Sequence, residues 1–307
     1  MNILHMKYAV EVANAGSINK ASETLLIAQP NLSRSIKELE SDLGIKIFDR
    51  SAKGMILTPD GEEFIGYAKK ILGQIEDVEQ LYKGGFTKRK FSVCVPRASY
   101  ISDAFSNFSL KIGNADAEIY YKETNSLKSI KKVLSSDCKM GIIRYAENYD
   151  RYFKELLDDK GLVCTTIAEF RYRIVVHSES TLAGLDEICF SDLENYIEIA
   201  HADPYVPTLP LSIVKKEEIP DNISRRIFVY ERASQFDLLS ENRDTFMWVS
   251  PMPEKLLKRY GLVQKESAEN KKIYRDVLIY RKEYKLTDLD RLFIEEVRNS
   301  KKIHLDA

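Results

Sequence analysis

The sequence lacks the features that mark a secreted or membrane-spanning protein. Its four cysteines, Cys94, Cys138, Cys164 and Cys189, form no CxxC pair and have no neighbouring histidine cluster, so we predict no zinc site and no disulfide framework. No run of 18 or more apolar residues occurs, and the apolar stretch at the N-terminus contains charge and lacks a small-residue cleavage site. We therefore expect a cytoplasmic protein with reduced thiols and no membrane partner.

Enzyme signatures are also missing. The sequence contains no GxGxxG, no Walker loop, no HExxH and no GxSxG, and its four histidines (His5, His177, His201 and His304) are scattered. We expect no catalysis, no cofactor and no metal. An enzyme and a pure solute-binding protein are the alternative classes of function. A solute-binding protein would not need the N-terminal ninety residues.

A global excess of basic residues is absent too. The net charge is -1, and residues 1–90 contain 13 Lys and Arg against 12 Asp and Glu, which leaves 33 against 35 for the rest. A nucleic-acid site would therefore have to be a focused patch.

The N-terminal residues contain a pattern that predicts such a patch. Ser17 is a suitable N-cap for a short helix, and a third helix starts at Gln29 with Pro30 at its first turn and runs to Gly44. Helical spacing divides the third helix into an apolar face and a polar, basic face. The apolar face contains Leu32, Ile36, Leu39 and Leu43, and the opposite face contains Pro30, Ser33, Arg34, Lys37 and Ser41.

The basic half of this helix has the chemistry needed to read DNA. Gln29, Asn31, Ser33 and Arg34 can hydrogen-bond base edges from a helix that enters the major groove by its N-terminal half. A charged helix face is more often simply solvated, but two β-like runs at 45–48 and 55–58 follow. They flank a basic turn and predict a wing, with Arg50 and Lys53 on the phosphate backbone.

Several stretches at fixed spacings resemble the LysR family of bacterial transcriptional regulators over about sixty residues. They are residues 21–25 (ASETL), 29–40 (QPNLSRSIKELE), 43–48 (LGIKIF), Arg50 and 57–61 (LTPDG). Ala28 is a departure, because the family usually has Ser or Thr there and alanine cannot cap the helix. The resemblance implies a DNA-binding winged helix-turn-helix at 1–58. The DNA-binding residues are then Ser17, Gln29, Pro30, Asn31, Ser33, Arg34, Lys37, Arg50 and Lys53.

A long helix follows at 59–84. Thr58 as N-cap and Pro59 at the first position start it, and we expect it to run to about Tyr82. One interpretation is that its apolar residues pack against the same domain. Their 4-3-4-3-4 spacing favours homodimerisation instead, as the resemblance also implies. Paired recognition helices predict an operator that is an interrupted inverted repeat. The proposed seam consists of Phe64, Ala68, Ile71, Ile75, Val78 and Tyr82.

From residue 91 onward, strand-like and helical segments alternate, so the chain is a multi-domain α/β protein with a domain boundary near Gly84 and Gly85. The resemblance implies an effector-binding domain at 91–307, built of two subdomains like those of periplasmic solute-binding proteins. Their expected bounds are 91–168 with 273–307, and 169–272. The predicted strands are 91–95, 118–121, 141–143, 171–176, 197–200, 227–230, 245–250 and 273–280.

Ligands collect beyond the carboxyl ends of strands in such sheets. Because arginine pairs bidentately with carboxylates, a small carboxylate effector is our hypothesis, and a purely structural C-terminal domain is the alternative. The resemblance further implies a dimer of dimers and admits RNA polymerase as a partner. The candidate effector contacts are Arg97, Ser99, Tyr100, Asn125, Ser126, Arg144, His201 and Ser234.

Overall fold

The computed structural model describes residues 1–51, 54–82, 89–201, 223–267 and 269–306, without the side chains of 50, 51, 76, 77 and 80–82. The chain divides into two compact units. The N-terminal unit comprises Met1–Lys88 with Ser135–Asp137, and the C-terminal unit, called the effector unit after its predicted role, comprises Arg89–Leu134 with Cys138–Ala307. Gly84 and Gly85, where we predicted the boundary, lie outside the described residues.

The N-terminal unit consists of helices followed by a hairpin and a long helix, as predicted. Leu32, Ile36 and Leu39 of the third helix are buried together with Ala9 and Val12 of the first, so the predicted apolar face is the core face. The elements are α1 (Ile3–Ala15), α2 (Ile18–Leu25), α3 (Gln29–Leu43), β1 (Phe48–Ser51), β2 (Gly54–Leu57) and α4 (Pro59–Tyr82).

The hairpin starts later than predicted. We expected a strand from residue 45, but β1 begins at Phe48 because the preceding backbone is bound to α3. The Glu40 carboxylate accepts hydrogen bonds from the backbone N–H groups of Ile47 (2.8 Å) and Phe48 (3.1 Å). The long helix α4 starts as predicted, since the Gly61 N–H donates to Thr58 Oγ1 at 2.9 Å. No helix in the described parts of the chain is both long and apolar enough to cross a membrane.

Two glycines allow close backbone approaches in this unit. A Cβ atom on Gly61 would lie 2.0 Å from the Ile47 carbonyl oxygen, so α4 can pass over the hairpin entrance only with glycine there. Gly54 has φ +113° and a Cβ on it would lie 2.5 Å from the Gly16 carbonyl oxygen. That oxygen accepts a 2.9 Å hydrogen bond from the Met55 N–H, which ties the hairpin to the turn between α1 and α2.

The described part of the effector unit contains two five-stranded sheets. The first has the strand order β4-β3-β5-β12-β6, and the second has the order β11-β7-β10-β8-β9. Strands of the first half are β3 (Arg89–Val95), β4 (Ala117–Glu123), β5 (Met140–Ala146), β6 (Leu162–Arg171), β7 (Arg173–His177) and β8 (Ile197–His201). Those of the second half are β9 (Arg225–Val229), β10 (Thr245–Val249), β11 (Leu262–Lys265) and β12 (Ile273–Arg281). Helices are α5 (Ser99–Leu110), α6 (Ser126–Leu134), α7 (Asp150–Asp159), α8 (Arg232–Glu241), α9 (Glu254–Tyr260) and α10 (Asp288–His304).

The chain crosses between the sheets at Tyr172, three residues after our boundary at 168/169. Strand β6 stays paired with β12 as far as Arg171 opposite Ile273, and β7 begins at Arg173 in the other sheet. The two passages of the chain touch, because the Tyr172 ring stacks on Tyr274 at 3.9 Å. Sequence reasoning missed β6 and β11; most of β6 is exposed or half-buried, so no apolar alternation marks it.

One cysteine prediction was wrong. Cys94 on β3 and Cys138, just before β5, are joined in a disulfide although 44 residues separate them. Parallel pairing of β3 with β5, which sets Cys94 opposite Gly141, brings them together, and no local motif reveals such a contact. Cys164 and Cys189 are free.

Candidate nucleic-acid interface and ligand cleft

The polar face of α3 is open to solvent. Arg34 and Lys37 are exposed and form no ion pair with a described residue, whereas Leu32 and Ile36 on the other side are buried. Guanidinium and ammonium groups therefore project from the same face as the amide groups near the start of the helix. Of the other predicted DNA-binding residues on α3, Gln29, Pro30 and Asn31 are exposed and Ser33 is half-buried.

The acidic half of α3 is used within the unit. Glu40 binds the backbone at the hairpin entrance, as described above, and Glu38 lies 3.9 Å from His5 of α1. The carboxylates in the second half of the helix thus anchor neighbouring elements. This division leaves the N-terminal half basic, which suits a surface that faces phosphates.

The helix starts differ in their capping. Ser17 Oγ accepts a long 3.5 Å hydrogen bond from Lys20 N and caps α2, whereas Ala28 gives α3 no side-chain cap, as predicted. The first turn of α3 is capped by backbone instead: the Asn31 N–H donates to the Ala28 carbonyl at 3.0 Å, and Pro30 has no N–H to satisfy.

The predicted wing is present as the β1–β2 hairpin. Arg50 is paired with Met55 in the hairpin, but its side chain is not described, and Lys53 lies outside the described residues. The hydrogen bond from Met55 to Gly16 fixes the hairpin, near its turn, beside the start of α2.

The long helix α4 is only partly available for a dimer seam. Ile65 and Ala68 are buried within the single chain, and Ile65 belongs to the core of the N-terminal unit. Because Ala68 is already buried, it is not available for the dimer seam in which we predicted it. Phe64, Ile71 and Ile75 are half-buried, whereas Val78 is 56% exposed; the Tyr82 side chain is not described.

Hydrogen bonds join the two sheets of the effector unit near the strand ends where we predicted the effector contacts, and this region is called the cleft below. Arg97, which follows β3, donates from Nη2 to the Tyr230 carbonyl at 2.6 Å. From the other side, Arg232 of α8 donates to Ser99 Oγ at 2.9 Å and to Glu123 Oε1 at 3.2 Å. The structure thus brings Arg97 and Ser99 to the cleft, where sequence reasoning placed them.

Arg232 and Glu123 were not among our candidate contacts. Glu123 ends β4, and Arg232 starts α8 three residues after the end of β9, so the ends of strands are the signal that could have found them. Burial raises the pKa of the Glu123 carboxyl above its ordinary value, and the nearby positive charges of Arg232 and Arg97 offset only part of this effect. The cleft therefore holds a carboxyl group whose charged form is disfavoured by burial.

Two of the predicted effector contacts, Arg144 and Tyr100, bind a residue of the first sheet instead. Arg144 is inside β5, opposite Asp276 of β12, and donates from Nε and Nη2 to that carboxylate at 2.7 Å each. Tyr100 is fully buried and donates to Asp276 at 2.6 Å. We predicted that β5 ends at residue 143, but pairing with β12 extends it to Ala146. In this arrangement both side chains are engaged with the Asp276 carboxylate.

The remaining candidates have mixed environments. Asn125 Oδ1 accepts from Lys128 N at 2.9 Å and caps α6, and the buried Ser126 exchanges hydrogen bonds with the Arg144 backbone. His201 is half-buried at the end of β8, and Ser234 is exposed on the first turn of α8. Asn125, His201 and Ser234 thus lie at strand or helix ends, while Ser126 joins the start of α6 to β5.

Comparison with known sequences identifies the N-terminal residues. Residues 3–62 match the family described as bacterial regulatory helix-turn-helix protein, lysR family. The uncharacterized HTH-type transcriptional regulator YcgK of Bacillus subtilis is 33% identical over 135 residues, 42% of each chain. The HTH-type transcriptional regulator BenM of Acinetobacter baylyi is 39% identical over 83 residues, 27% of each chain. The chain thus spans less than half the length of these two relatives.

Solved structures resemble the whole chain. Full-length OxyR from Pseudomonas aeruginosa superposes with a TM-score of 0.66 at 16% identity, covering 100% of this chain and 96% of that one. Full-length CbnR in complex with its target DNA gives 0.60 at 18% identity, covering 98% and 100%. At such identities the likeness concerns the fold. It confirms a helix-turn-helix followed by a two-sheet α/β domain.

Proposed function

We propose that this chain is a DNA-binding transcriptional regulator of the lysR family, because its residues 3–62 match that family's helix-turn-helix model. The open polar face of α3 is the observation that carries the proposal. Arg34 and Lys37 are exposed there, while the acids further along the helix are used inside the unit. A helix with this distribution can enter the major groove by its N-terminal half.

The contacts divide into two kinds. Gln29, Asn31 and Arg34 read base edges, whereas Lys37 and the wing residues Arg50 and Lys53 bind phosphates and set the register. Two chains pair through α4, using its exposed and half-buried apolar residues, and present two recognition helices to an interrupted inverted repeat. We further propose that dimers pair into tetramers in the cytoplasm, with RNA polymerase as a possible protein contact.

Binding measurements on variants test this assignment. Arg34→Ala should weaken binding to the operator by about 1–3 kcal/mol and random DNA much less, because a bidentate base contact is lost. Lys53→Ala should weaken both DNAs alike and flatten the salt dependence. Fluorescence anisotropy, with the DNA that flanks the gene for this protein and with random DNA, measures the affinities of both variants.

A matched control separates charge loss from site loss. Arg151 is 92% exposed on α7, in the effector unit, so Arg151→Ala should leave DNA affinity unchanged. Equal losses on operator and random DNA for Arg34→Ala would contradict a base-reading role.

The cleft of the effector unit is the proposed site for a small carboxylate. Arg97 and Arg232 face it with two positive charges against the one negative charge of Glu123. An incoming carboxylate would compete with Glu123 for the Arg232 guanidinium. Ligand would then alter DNA binding through its differential affinity for the two arrangements of the sheets.

A regulator with a purely structural effector unit is the second candidate. The hydrogen bonds across the cleft favour it, because Arg232 already has Ser99 and Glu123 as partners and Arg97 has the Tyr230 carbonyl. Calorimetry with a panel of small carboxylates distinguishes the two. Binding that Arg232→Met abolishes supports the ligand-controlled regulator, and no heat with any compound supports the structural unit.

A further inference from the structure

A leucine occupies a strained and exposed position just before the recognition helix. Leu26 ends α2 in the left-handed conformation, with φ 53° and ψ 40°, and its side chain is 92% exposed. The backbone there is well bonded: Leu26 N donates to Glu23 O at 3.2 Å and Ile27 N donates to Ser22 O at 3.1 Å. The turn itself therefore needs a left-handed residue but no side chain.

Glycine fills the same position elsewhere in the unit. Gly16 ends α1 and Gly44 ends α3, both left-handed, with φ 62° and 68° and no neighbouring atom within 4 Å of a Cβ at either position. A left-handed leucine is strained, and an exposed leucine gains nothing from burial. Leu26 is thus unfavourable for the fold both in its backbone conformation and in its exposed side chain, at a position where glycine would be suitable. Such a residue points to a contact made outside the chain.

We propose that Leu26 reads DNA sequence by contacting the 5-methyl group of a thymine in the major groove. This inference rests on the proposed function. Leu26 lies three residues before Gln29, and three residues of chain span at most about 11 Å, so it approaches the groove together with the start of α3. Apolar side chains are the groups that recognise the thymine methyl.

The surroundings of Leu26 favour DNA over a protein partner. Glu23 and Thr24 before it are exposed and polar, and its apolar neighbours Leu25 and Ile27 are half-buried, so the exposed apolar surface around Leu26 is small. A protein interface requires a much larger continuous surface. A single methyl group of a base requires no more than one such side chain.

The test combines two deletions, one on each partner. The probe is the fragment that the wild-type protein selects from a random-sequence DNA pool, with single thymines replaced by uracil, which lacks the methyl group. At one thymine, uracil should weaken wild-type binding about fourfold, the value of one buried methyl group. Leu26→Gly should bind the thymine fragment about fourfold more weakly and be indifferent to uracil at that position.

Controls distinguish folding from recognition. Leu26→Gly should melt no lower than the wild type, because glycine suits the left-handed turn. Leu110 is 85% exposed on α5, and Leu110→Ala should leave every affinity unchanged. A uniform loss on all DNAs for Leu26→Gly, or continued sensitivity to uracil, overturns the inference while the regulator assignment stands. Failure of the wild type to select any sequence overturns the proposed function and this inference with it.

Discussion

The α3 face and the effector cleft are built from similar groups, yet they differ in what those groups bind. On α3, Arg34 and Lys37 are exposed and form no ion pair with a described residue. In the cleft, Arg232 is held by Ser99 and Glu123, and Arg144 nearby is held by Asp276. The side chains on the α3 face can therefore bind a partner without breaking an ion pair, whereas a ligand in the cleft must replace a bond that the chain already makes.

This difference has an energetic reason. Exposed arginine and lysine keep their hydration, so they need no internal partner. Arg144 and Asp276 are buried, and an unpaired buried charge is strongly unfavourable. Burial opposes the charged form of Arg144, but Asp276 outweighs it and holds the pKa of that guanidinium above its ordinary value. An exposed arginine without an ion pair is therefore a better sign of a binding role than an arginine that is paired inside the chain.

The largest expected effect comes from breaking the buried pair. Asp276→Ala should destabilise the effector unit by about 3–5 kcal/mol, because it leaves the Arg144 charge buried without its partner. Hydrogen exchange measured by mass spectrometry should rise in the first sheet and stay unchanged in α1–α3. The double variant Arg144→Met/Asp276→Leu should recover much of the loss. A double variant as unstable as Asp276→Ala would contradict the charge explanation.

A smaller effect is expected in the N-terminal unit. Gly61→Ala should cost about 1–3 kcal/mol and displace the hairpin, because its Cβ would overlap the Ile47 carbonyl. Gly66→Ala, on the same helix with no atom within 4 Å, should be neutral or stabilise by up to about 1 kcal/mol. Thermal unfolding and DNA affinity measure both. Equal behaviour of the two variants would mean that the close approach at Gly61 does not exist.

The smallest effect sharpens the description of the cleft. Because burial raises the pKa of Glu123, the folded chain binds this proton more tightly than the unfolded chain, so the contribution to stability is present at low pH and lost as pH rises. Glu123→Gln should therefore stabilise the effector unit at pH 7.5, by on the order of 1 kcal/mol. The gain should vanish below the ordinary carboxyl pKa of 4.5. Glu155→Gln, at an exposed side chain, should give no such gain, and a pH-independent gain at Glu123 would refute the burial effect.

Local patterns predicted the N-terminal unit well. Helical spacing set the core face of α3, and Ser17 and Thr58 cap α2 and α4 as expected, because caps and periodicity are properties of neighbouring residues. The effector cleft was less predictable. Arg144 was misplaced because β12, more than a hundred residues later, extends β5, and the Arg232–Glu123 pair joins equally distant segments. Long-range pairing leaves no trace in local spacing.

The stacked tyrosines at the crossing have a mechanical consequence. Tyr172 and Tyr274 belong to the outgoing and returning passages of the chain, and Asn270 adds a 3.0 Å hydrogen bond to the Tyr172 carbonyl. Because the two connections are fastened side by side, this junction should hold the sheets together at one place and restrict their relative motion mainly to a change of angle.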